Sequence, residues 1–280
     1  MTYIGRKNRL KVVKMVTFGV YLDGGELGEI LLPKRDVPED CKPGDWLHVF
    51  VYADSDDRLI ATRQTPKAMV GECAFLKVRQ QNDVGTFLDW GLSKDLLVPF
   101  SEQAWPMNPG RSYVVYLYLD EQTNRIAAST KYNRYLSEDG SGFRPGEKVK
   151  LMIASRTELG YKAVINNSHL GLIFKTDVFQ PLKFGQQLRG YIKAIRDDGK
   201  IDLSLQASPD EVRDELEVKI LEYLRTHGGV SKITDKSPPD QIYKTFEASK
   251  ASFKRALGRL YKKRQVLIEK HRVVLLAEDA

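Results

Sequence analysis

The chain of 280 residues carries 44 Lys and Arg against 37 Asp and Glu, and its 42% hydrophobic content is ordinary for a folded globular protein. It has no run of about 18 apolar residues and its N-terminal segment lacks an apolar signal core, so the sequence predicts neither a membrane partner nor export. The two cysteines, Cys41 and Cys73, lie far apart, which favours reduced thiols in the cytoplasm over a disulfide scaffold.

Five landmarks recur three times along residues 1–208 at fixed spacing. They are Gly5, Gly19, Pro33, Gly44 and Ile60 in the first repeat; Gly71, Gly85, Pro99, Gly110 and Ile126 in the second; and Gly146, Gly160, Phe174, Gly185 and Ile201 in the third. A fixed period indicates one small unit used repeatedly. We therefore expect domains at 1–65, 66–140 and 141–208, followed by a different domain at 209–280.

Each repeat contains five short runs in which apolar and polar residues alternate, as in strands with one buried face. In the third repeat these runs are 149–155, 161–166, 169–174, 187–195 and 200–205. The polar stretches 101–105 and 175–179, which lie between the third and fourth runs, are candidates for a helical turn. Five strands, glycine-marked bends and one short helical turn are typical of an OB-type barrel.

The segment Phe18–Asp23, FGVYLD, resembles the aromatic-Gly-x-aromatic segment of S1 RNA-binding domains. Val84–Asp89 and Leu159–Val164 are weaker copies, and Asp197–Gln206 is similar to the last two strands of an S1 domain. On such a surface, unpaired bases stack on exposed aromatic side chains while Lys and Arg follow the phosphates. S1 domains often end the third strand with a His, and this chain has other residues there: Pro33, Pro99 and Phe174.

The candidate RNA contacts of the repeats are aromatic and basic residues of these strands. They are Phe18, Tyr21, Phe87, Tyr161, Lys162, Phe174, Arg189 and Lys193, with Lys7, Arg9, Lys11 and Lys14 flanking the first pair. Phe18 and Tyr21 should face opposite sides of a regular strand, so one of them should be buried unless the bend at Gly19 breaks the alternation. The aromatic residues of the fourth runs are interpreted as surface packing: Phe50, Tyr116 and Tyr191.

The periodicity changes after residue 208. Helical spacing predicts helices over 211–229, 239–248 and 249–264, a strand at 230–234, and a terminal hairpin around Lys270–Arg272. Helix, strand, helix, helix, hairpin is the order of a winged helix-turn-helix, whose third helix is the recognition helix. The sequence thus predicts a mainly β protein with a C-terminal α+β domain.

The third predicted helix combines an apolar stripe with a basic remainder. The stripe comprises Phe253, Ala256, Leu257 and Leu260. The candidate nucleic-acid contacts are Lys250, Lys254, Arg255, Arg259 and Lys262. At the tip of the hairpin, Lys270, His271 and Arg272 form either a backbone contact or a plain exposed turn.

The positive charge is localised. Residues 144–208 hold eleven basic and six acidic residues, residues 209–280 hold fifteen and twelve, and residues 66–143 hold eight and nine. A localised basic balance favours a polyanionic partner. We therefore expect most of the nucleic-acid affinity in the third repeat and the C-terminal domain.

Three S1-like repeats followed by a winged helix resemble the conserved virulence factor B (CvfB) family of bacterial RNA-binding regulators, over nearly the whole chain. The resemblance implies a cytoplasmic bacterial protein that binds RNA and influences gene expression after transcription. Together with the repeats it favours single-stranded RNA as the partner.

No catalytic constellation is recognised. The four His residues are scattered, no metal-ligand spacing is present, and no phosphate-binding glycine loop joins a strand to a helix. The sequence predicts a protein that is not an enzyme and uses no metal or cofactor. Two alternatives stay open: a regulator that binds duplex DNA through the winged helix, and a protein–protein adaptor on a ribosome, polymerase or nuclease.

Overall fold

The computed structural model describes residues 1–178, 181–206, 209–246 and 248–276. The chain divides into two compact units, Met1–Leu205 and Gln206–Ala280. None of the helices in the described part of the chain is long and apolar enough to cross a membrane.

The first unit consists of three closed five-stranded barrels. The strands of barrel one are β1 (Lys7–Val16), β2 (Gly19–Asp23), β3 (Glu29–Pro33), β4 (Trp46–Ala53) and β5 (Leu59–Thr62). Those of barrel two are β6 (Cys73–Gln81), β7 (Gly85–Asp89), β8 (Leu96–Pro99), β9 (Ser112–Leu119) and β10 (Ile126–Ser129). Those of barrel three are β11 (Lys148–Arg156), β12 (Gly160–Ile165), β13 (His169–Phe174), β14 (Gln187–Ile195) and β15 (Ile201–Ser204).

All three barrels share one strand order, in which the first strand pairs with the second and the fourth and the third pairs in parallel with the fifth. The pairing of the first strand is interrupted at the same place in each barrel, just before Lys14, Gln80 and Ser155. Such a bulge bends a strand, which lets it pass from one neighbour to the other. The predicted succession of three OB-type barrels is confirmed.

The glycines that open the second strands are required by a close backbone approach. A Cβ at Gly19, Gly85 or Gly160 would lie 2.2, 2.4 or 2.0 Å from a carbonyl oxygen of the facing third strand. Atoms at that distance clash, so only glycine permits the two paired strands to approach so closely there. This contact explains why the glycine recurs in all three repeats.

Short 3₁₀ turns follow the third strands, at Lys34–Asp36, Phe100–Glu102 and Lys175–Asp177. The helical turns predicted within 101–105 and 175–179 are therefore present, each shorter than the polar stretch that suggested it. Phe179, the last residue of the second stretch, lies outside the described residues.

Barrels one and two share a core at their junction. Phe50 and Tyr52 of β4 join the apolar cluster of barrel two, and the ring centroids of Phe50 and Trp90 lie 5.7 Å apart. Lys94 Nζ donates hydrogen bonds to two backbone carbonyl oxygens of barrel one at 3.0 and 2.6 Å. Phe50, interpreted from the sequence as surface packing, is 1% exposed because barrel two covers it.

A second buried cluster joins barrels two and three. Its members are Cys73, Val114, Tyr132, Leu136, Met152, Ala154, Val164 and Leu170. Burial raises the pKa of the Cys73 thiol to about 12, so this cysteine is not a reactive thiolate at neutral pH. Tyr116 borders the cluster and stacks on Tyr135 with the ring centroids 4.6 Å apart. The two junctions make the three barrels one packed unit.

The second unit contains α1 (Pro209–Thr226), β16 (Val230–Ser231), α2 (Pro239–Phe246), α3 (Lys250–Lys262), β17 (Val266–Ile268) and β18 (Val273–Leu275). Its three strands form a sheet in the order β16, β18, β17. Ser249 caps α3 by accepting a hydrogen bond from the Ser252 backbone N–H. The stripe predicted from Phe253, Leu257 and Leu260 is buried in the core of this unit. The predicted winged helix-turn-helix is confirmed, with shorter elements than the periodicity suggested.

Candidate nucleic-acid interface

Each barrel exposes one apolar side chain at the turn between its first two strands. These side chains, Phe18, Val84 and Leu159, are 55%, 54% and 60% exposed. Each directly precedes one of the glycines that pair with the last residue of the third strand. The outward position two residues after the glycine holds a partly buried side chain: Tyr21, Phe87 or Lys162. Each barrel therefore presents an equivalent surface with different chemistry. This surface is formed by the second and third strands of the barrel, and in all three barrels it is here called the β2–β3 face after the strands of barrel one.

In barrel one both aromatic candidates reach this face. Phe18 precedes β2, and the bend at Gly19 removes it from the strand alternation, so neither ring is buried. The rings of Phe18 and Tyr21 meet edge to face at 6.4 Å. Lys14 Nζ lies 4.8 Å from the centre of the Tyr21 ring and also pairs with Glu29. This face offers two aromatic rings with a cation that the protein already neutralises.

Phe87 of barrel two lines a cavity of about 550 Å³ together with Val84, Pro99 and Tyr118. Tyr52 of barrel one lines the same cavity, so the β2–β3 face of barrel two is partly enclosed by its neighbour. Burial beside the Glu102 carboxylate raises the pKa of Tyr118 to about 12, which keeps its phenol protonated and able to donate a hydrogen bond.

Carboxylates outnumber cations around this cavity. Asp57, Asp95 and Asp120 line it, as do Lys94 and Arg125. Both cations are engaged, because Arg125 pairs with Asp57 and Lys94 donates to backbone carbonyls. Burial raises the pKa of Asp95 although an Arg guanidinium lies 3.1 Å away. These groups suit a neutral or cationic ligand better than a phosphate.

The equivalent face of barrel three forms a cavity of about 540 Å³ lined by Leu159, Lys162, Leu172 and Arg196. Lys162 Nζ lies 3.1 Å from a carboxylate oxygen of Glu138. Arg196 pairs with an Asp of β15 at 2.6 Å. The cations of this face are thus paired with carboxylates, whereas Arg125 and Lys94 of barrel two are engaged by groups of barrel one.

Tyr161 and Phe174 lie on opposite sides of the wall of barrel three. Tyr161 occupies the position of the fully buried Val20 and Thr86 and packs against the barrel core. Phe174 is partly buried, and the Arg196 guanidinium lies 5.3 Å from its ring centre. Tyr161 also has a guanidinium near its ring, that of Arg156 at 5.9 Å, so the two candidate aromatics differ in the side of the strand they occupy and not in having a neighbouring cation.

Arg189 lies on another surface of barrel three, formed by its first and fourth strands. It faces Lys150 of β11 across the sheet, and a cavity of about 670 Å³ adjoins both side chains. Tyr191 and Lys193 follow on the same side of β14, and Lys193 pairs with Asp177 at 2.8 Å. Within the described residues no carboxylate lies at ion-pair distance from Arg189 or Lys150. Sequence patterns did not single out Lys150, although the alternation of its strand directs it outward.

Helix α3 presents Lys254, Arg255 and Lys262 to solvent. None of the three has an ion-pair partner in the part of the chain that the structure describes. Lys250 is partly buried, and its Nζ lies 3.4 Å from the carbonyl oxygen of Lys236. The three exposed cations are therefore available to a polyanion.

Arg259 has a different environment from these cations. Its Nε donates to the Glu217 carboxylate of α1, which also accepts from Lys263 Nζ at 2.8 Å. Glu217 is 4% exposed. Burial opposes its ionisation, but the hydrogen bonds from Lys263 and Arg259 outweigh burial and hold the pKa of Glu217 below its usual value. Arg259 therefore anchors α3 to α1, a role that no local pattern in α3 reveals.

Gly258 lies between Lys254 and Lys262 on the same side of α3, at spacings of four residues. A Cβ placed on Gly258 would meet no heavy atom within 4 Å, so packing does not require glycine there. Glycine inside a helix costs roughly 0.5–1 kcal/mol relative to alanine. The missing side chain leaves the helix backbone open between two exposed cations and beside the exposed Tyr261.

The wing of this unit carries exposed Lys270 and His271 at its tip. Arg272, the third residue of the predicted basic turn, pairs with Glu269 at 2.6 Å. Groups of three or more His, Cys, Asp or Glu that could hold a metal ion do not occur among the described residues.

Residues 4–64 and 70–131 match the family model of the S1 domain, and residues 218–275 match that of the CvfB-like winged helix domain. The uncharacterized protein YitL of Bacillus subtilis is 29% identical over 95% of this chain and 91% of its own length. Conserved virulence factor B of Staphylococcus epidermidis is 25% identical over 97% of this chain and 94% of its own length.

A crystal structure described as a multidomain protein with nucleic acid binding domains, from Streptococcus pneumoniae, is 23% identical and covers 98% of both chains at a TM-score of 0.40. The predicted resemblance to the CvfB family is confirmed by the family models and the curated relatives. The S1 and CvfB-like winged helix domains indicate a multidomain protein that binds nucleic acid.

Proposed function

We propose that this chain of S1 domains and a CvfB-like winged helix domain binds single-stranded RNA without catalysing a reaction. It would act in the bacterial cytoplasm as a regulator of gene expression after transcription. The observation that carries the proposal is the distribution of cations that have no ion-pair partner among the described residues, beside the partly exposed Tyr191 on barrel three and the exposed Tyr261 on α3.

On barrel three the unpaired Arg189 and Lys150 lie on the same side of the sheet as Tyr191. On α3 the unpaired Lys254 and Lys262 flank Gly258. Aromatic rings that stack bases and cations that follow phosphates are the two elements of single-strand recognition, each stacked base contributing about 1–3 kcal/mol. Linked modules raise the overall affinity when one RNA spans them.

The test is a competition between single-stranded RNA and duplex DNA of equal length for the full-length protein, at several salt concentrations. We expect the RNA to win and to remain intact during the incubation. Preferential binding of duplex DNA would favour the alternative in which α3 reads a groove, which its exposed cations also allow. RNA cleavage abolished by a point mutation in this chain would contradict the non-catalytic part.

The acidic cavity of barrel two supports a second role, contact with a protein or another non-phosphate partner. Arg125 pairs with Asp57, Lys94 is held by backbone carbonyls, and three carboxylates line the cavity, so it offers little attraction to an RNA backbone. Charge reversal of Asp95 and Asp120 to Lys tests this assignment. If the cavity serves a protein, the double variant should bind RNA at least as tightly as the parent chain, and weaker RNA binding would place RNA in the cavity.

A further inference from the structure

Barrel one carries a second patch of aromatic and basic residues, on the surface formed by β1 and β4. Along β1 the residues Asn8, Leu10 and Val12 point inward, which leaves Arg9 and Lys11 outside. In the β-ladder Lys11 faces Trp46 and Arg9 faces His48. These four residues, Arg9, Lys11, Trp46 and His48, are all exposed or nearly so and form what is here called the β1–β4 patch.

Trp46 is the central feature of this patch. It is 54% exposed, and the Arg9 guanidinium lies 5.1 Å from the centre of its ring. An indole is a large apolar surface that proteins usually cover, and the described residues leave more than half of this one exposed. An Arg beside an exposed ring adds a cation–π contact and holds a positive charge next to the stacking surface.

The charges of the patch are not neutralised. No carboxylate of the described residues lies at ion-pair distance from Arg9 or Lys11. On the β2–β3 face of the same barrel Lys14 pairs with Glu29, and the equivalent faces of barrels two and three also pair their cations. Unpaired cations therefore mark the β1–β4 surface rather than the β2–β3 face.

The same surface has a different use in barrel two. The positions equivalent to Arg9 and His48 are Phe75 and Val114. Val114 is buried in the cluster that joins barrels two and three, and Phe75 is 40% exposed. The backbone of Gly185 in barrel three comes so close to Phe75 that a Cβ there would lie 2.0 Å from the ring. Where barrel one has Arg9 and His48, barrel two therefore has two apolar residues that contact barrel three.

We propose that the β1–β4 patch of barrel one is a binding site for single-stranded nucleic acid, in which a base stacks on Trp46 and the adjacent phosphates contact Arg9 and Lys11. The choice of RNA as the ligand rests on the proposed function above. The site is distinct from the β2–β3 face that carries Phe18 and Tyr21.

The test uses the emission of Trp46 in the full-length chain. Trp90 is buried, so the exposed tryptophans are Trp46 and Trp105. In the W105F variant, titration with an oligouridylate of about 12 nucleotides should quench the emission in a saturable way. Heparin, a polyanion without bases, should not reproduce the quenching, because stacking requires a base.

Affinity provides the second measurement. Trp46→Ala should weaken binding of the oligouridylate to the patch about 5- to 100-fold, within the range measured for loss of one stacked base. Trp105→Ala, which removes the other exposed tryptophan, is the matched control and should leave the affinity unchanged. Arg9→Ala with Lys11→Ala should lower the salt slope by about 0.7 for each lost phosphate contact.

Three results would overturn the proposal. If the oligouridylate binds the chain but neither quenches Trp46 nor responds to Trp46→Ala, the patch is not a nucleic-acid site while the proposed function stands. If single-stranded RNA does not bind the parent chain at all, both the proposed function and the patch fail. Equal quenching by heparin would assign the patch to polyanions in general and reject base stacking.

Discussion

Barrels two and three have the same strand order but differ at the surface formed by their first and fourth strands. In barrel two this surface carries Phe75 and Val114, which contact barrel three: Val114 is buried there, and Gly185 of barrel three packs closely against the Phe75 ring. In barrel three the equivalent positions are Lys150 and Arg189, which are unpaired among the described residues and border a cavity. The repeated fold thus separates a packing module from a module that retains charge for a partner.

The difference also shows which basic residues are available to contact nucleic acid. Lys67 and Arg79 of barrel two both contact Asp89, and the hydrogen bond from Lys67 together with the two positive charges holds the pKa of Asp89 below its usual value despite some burial. A cation that neutralises an internal carboxylate gains little by moving to a phosphate, because it would leave that carboxylate unpaired. Unpaired cations, rather than cations in general, should therefore locate the nucleic-acid contacts.

The largest expected effect is on the free energy of unfolding. It compares two equivalent residues of the fourth strands, Phe50 of barrel one and Tyr191 of barrel three. Phe50→Ala should cost about 3–5 kcal/mol of unfolding free energy, because Phe50 fills the junction of barrels one and two. Tyr191→Ala, at the equivalent but partly exposed position of barrel three, should cost less than about 1 kcal/mol. Urea unfolding of the full-length chain measures both changes.

RNA affinity should show the reverse order. Tyr191→Ala should weaken binding of single-stranded RNA by about 1–3 kcal/mol, whereas Tyr191→Phe, which keeps the ring, should not. Phe50→Ala, measured where the chain is still folded, should bind as the parent does. Loss of RNA binding in the Phe50 variant alone would place the RNA near the junction of barrels one and two and not on barrel three.

The second prediction applies the pairing criterion to α3. Replacing Lys254, Arg255 and Lys262 together by Ala should weaken RNA binding about 10- to 100-fold and reduce the salt slope by about 0.7 per lost phosphate contact. The triple variant of Lys67, Arg79 and Arg125 removes the same charge from paired positions of barrel two. Its salt slope should stay near that of the parent, and equal losses in the two triple variants would show that net charge alone decides.

Much of this fold could be predicted from the sequence, because its repeats report steric requirements. The glycine at position 160 must be glycine for the same reason as those at 19 and 85, so their spacing reveals the strands. Comparison of the repeats also predicts the side of the strand on which Tyr161 lies, because it shares its position with the buried Val20 and Thr86. The equivalence assigns the Tyr161 side chain to the core side, whereas the presence of an aromatic residue in a strand does not distinguish the core side from the outer side.

The partners of the cations could not be predicted in this way. Arg259 belongs to the basic side of α3 by periodicity, and its contact with Glu217 joins residues 42 positions apart. The burial of Phe50 likewise depends on how barrel two packs against barrel one. Local alternation gives the direction of a side chain, but only the packing of separate elements shows what it meets.

The third prediction concerns the buried Glu217 and its contact with Arg259. The pKa of Glu217 is lowered in the folded chain, so the stability it contributes is present above its unfolded pKa of about 4.3 and is lost as the pH falls through the folded value. Glu217→Gln should cost about 1–3 kcal/mol at pH 7 and flatten the loss of stability below pH 5. Circular dichroism at 222 nm measures this unfolding, because the described α-helices all lie in the C-terminal unit.

The same variant probes the pairing criterion directly. Without the carboxylate, Lys263 loses the negative charge that pairs with it. RNA binding by the folded Glu217→Gln chain should therefore strengthen and its salt slope should rise. An unchanged slope would mean that Lys263 cannot reach an RNA backbone even when this pair is removed.

The smallest expected effect is at Gly258, where stability and binding should change in opposite directions. Its Cβ would meet no atom of the chain, so Gly258→Ala should stabilise α3 by about 0.5–1 kcal/mol. If an RNA backbone approaches the helix between Lys254 and Lys262, the added methyl group should reduce RNA affinity a few-fold. Gly142→Ala is the matched control, because a Cβ there also meets open space and Gly142 lies in the first unit. A Gly258→Ala chain that is more stable and binds RNA as tightly as the parent would place the RNA elsewhere on α3, and would leave the glycine without a role in binding.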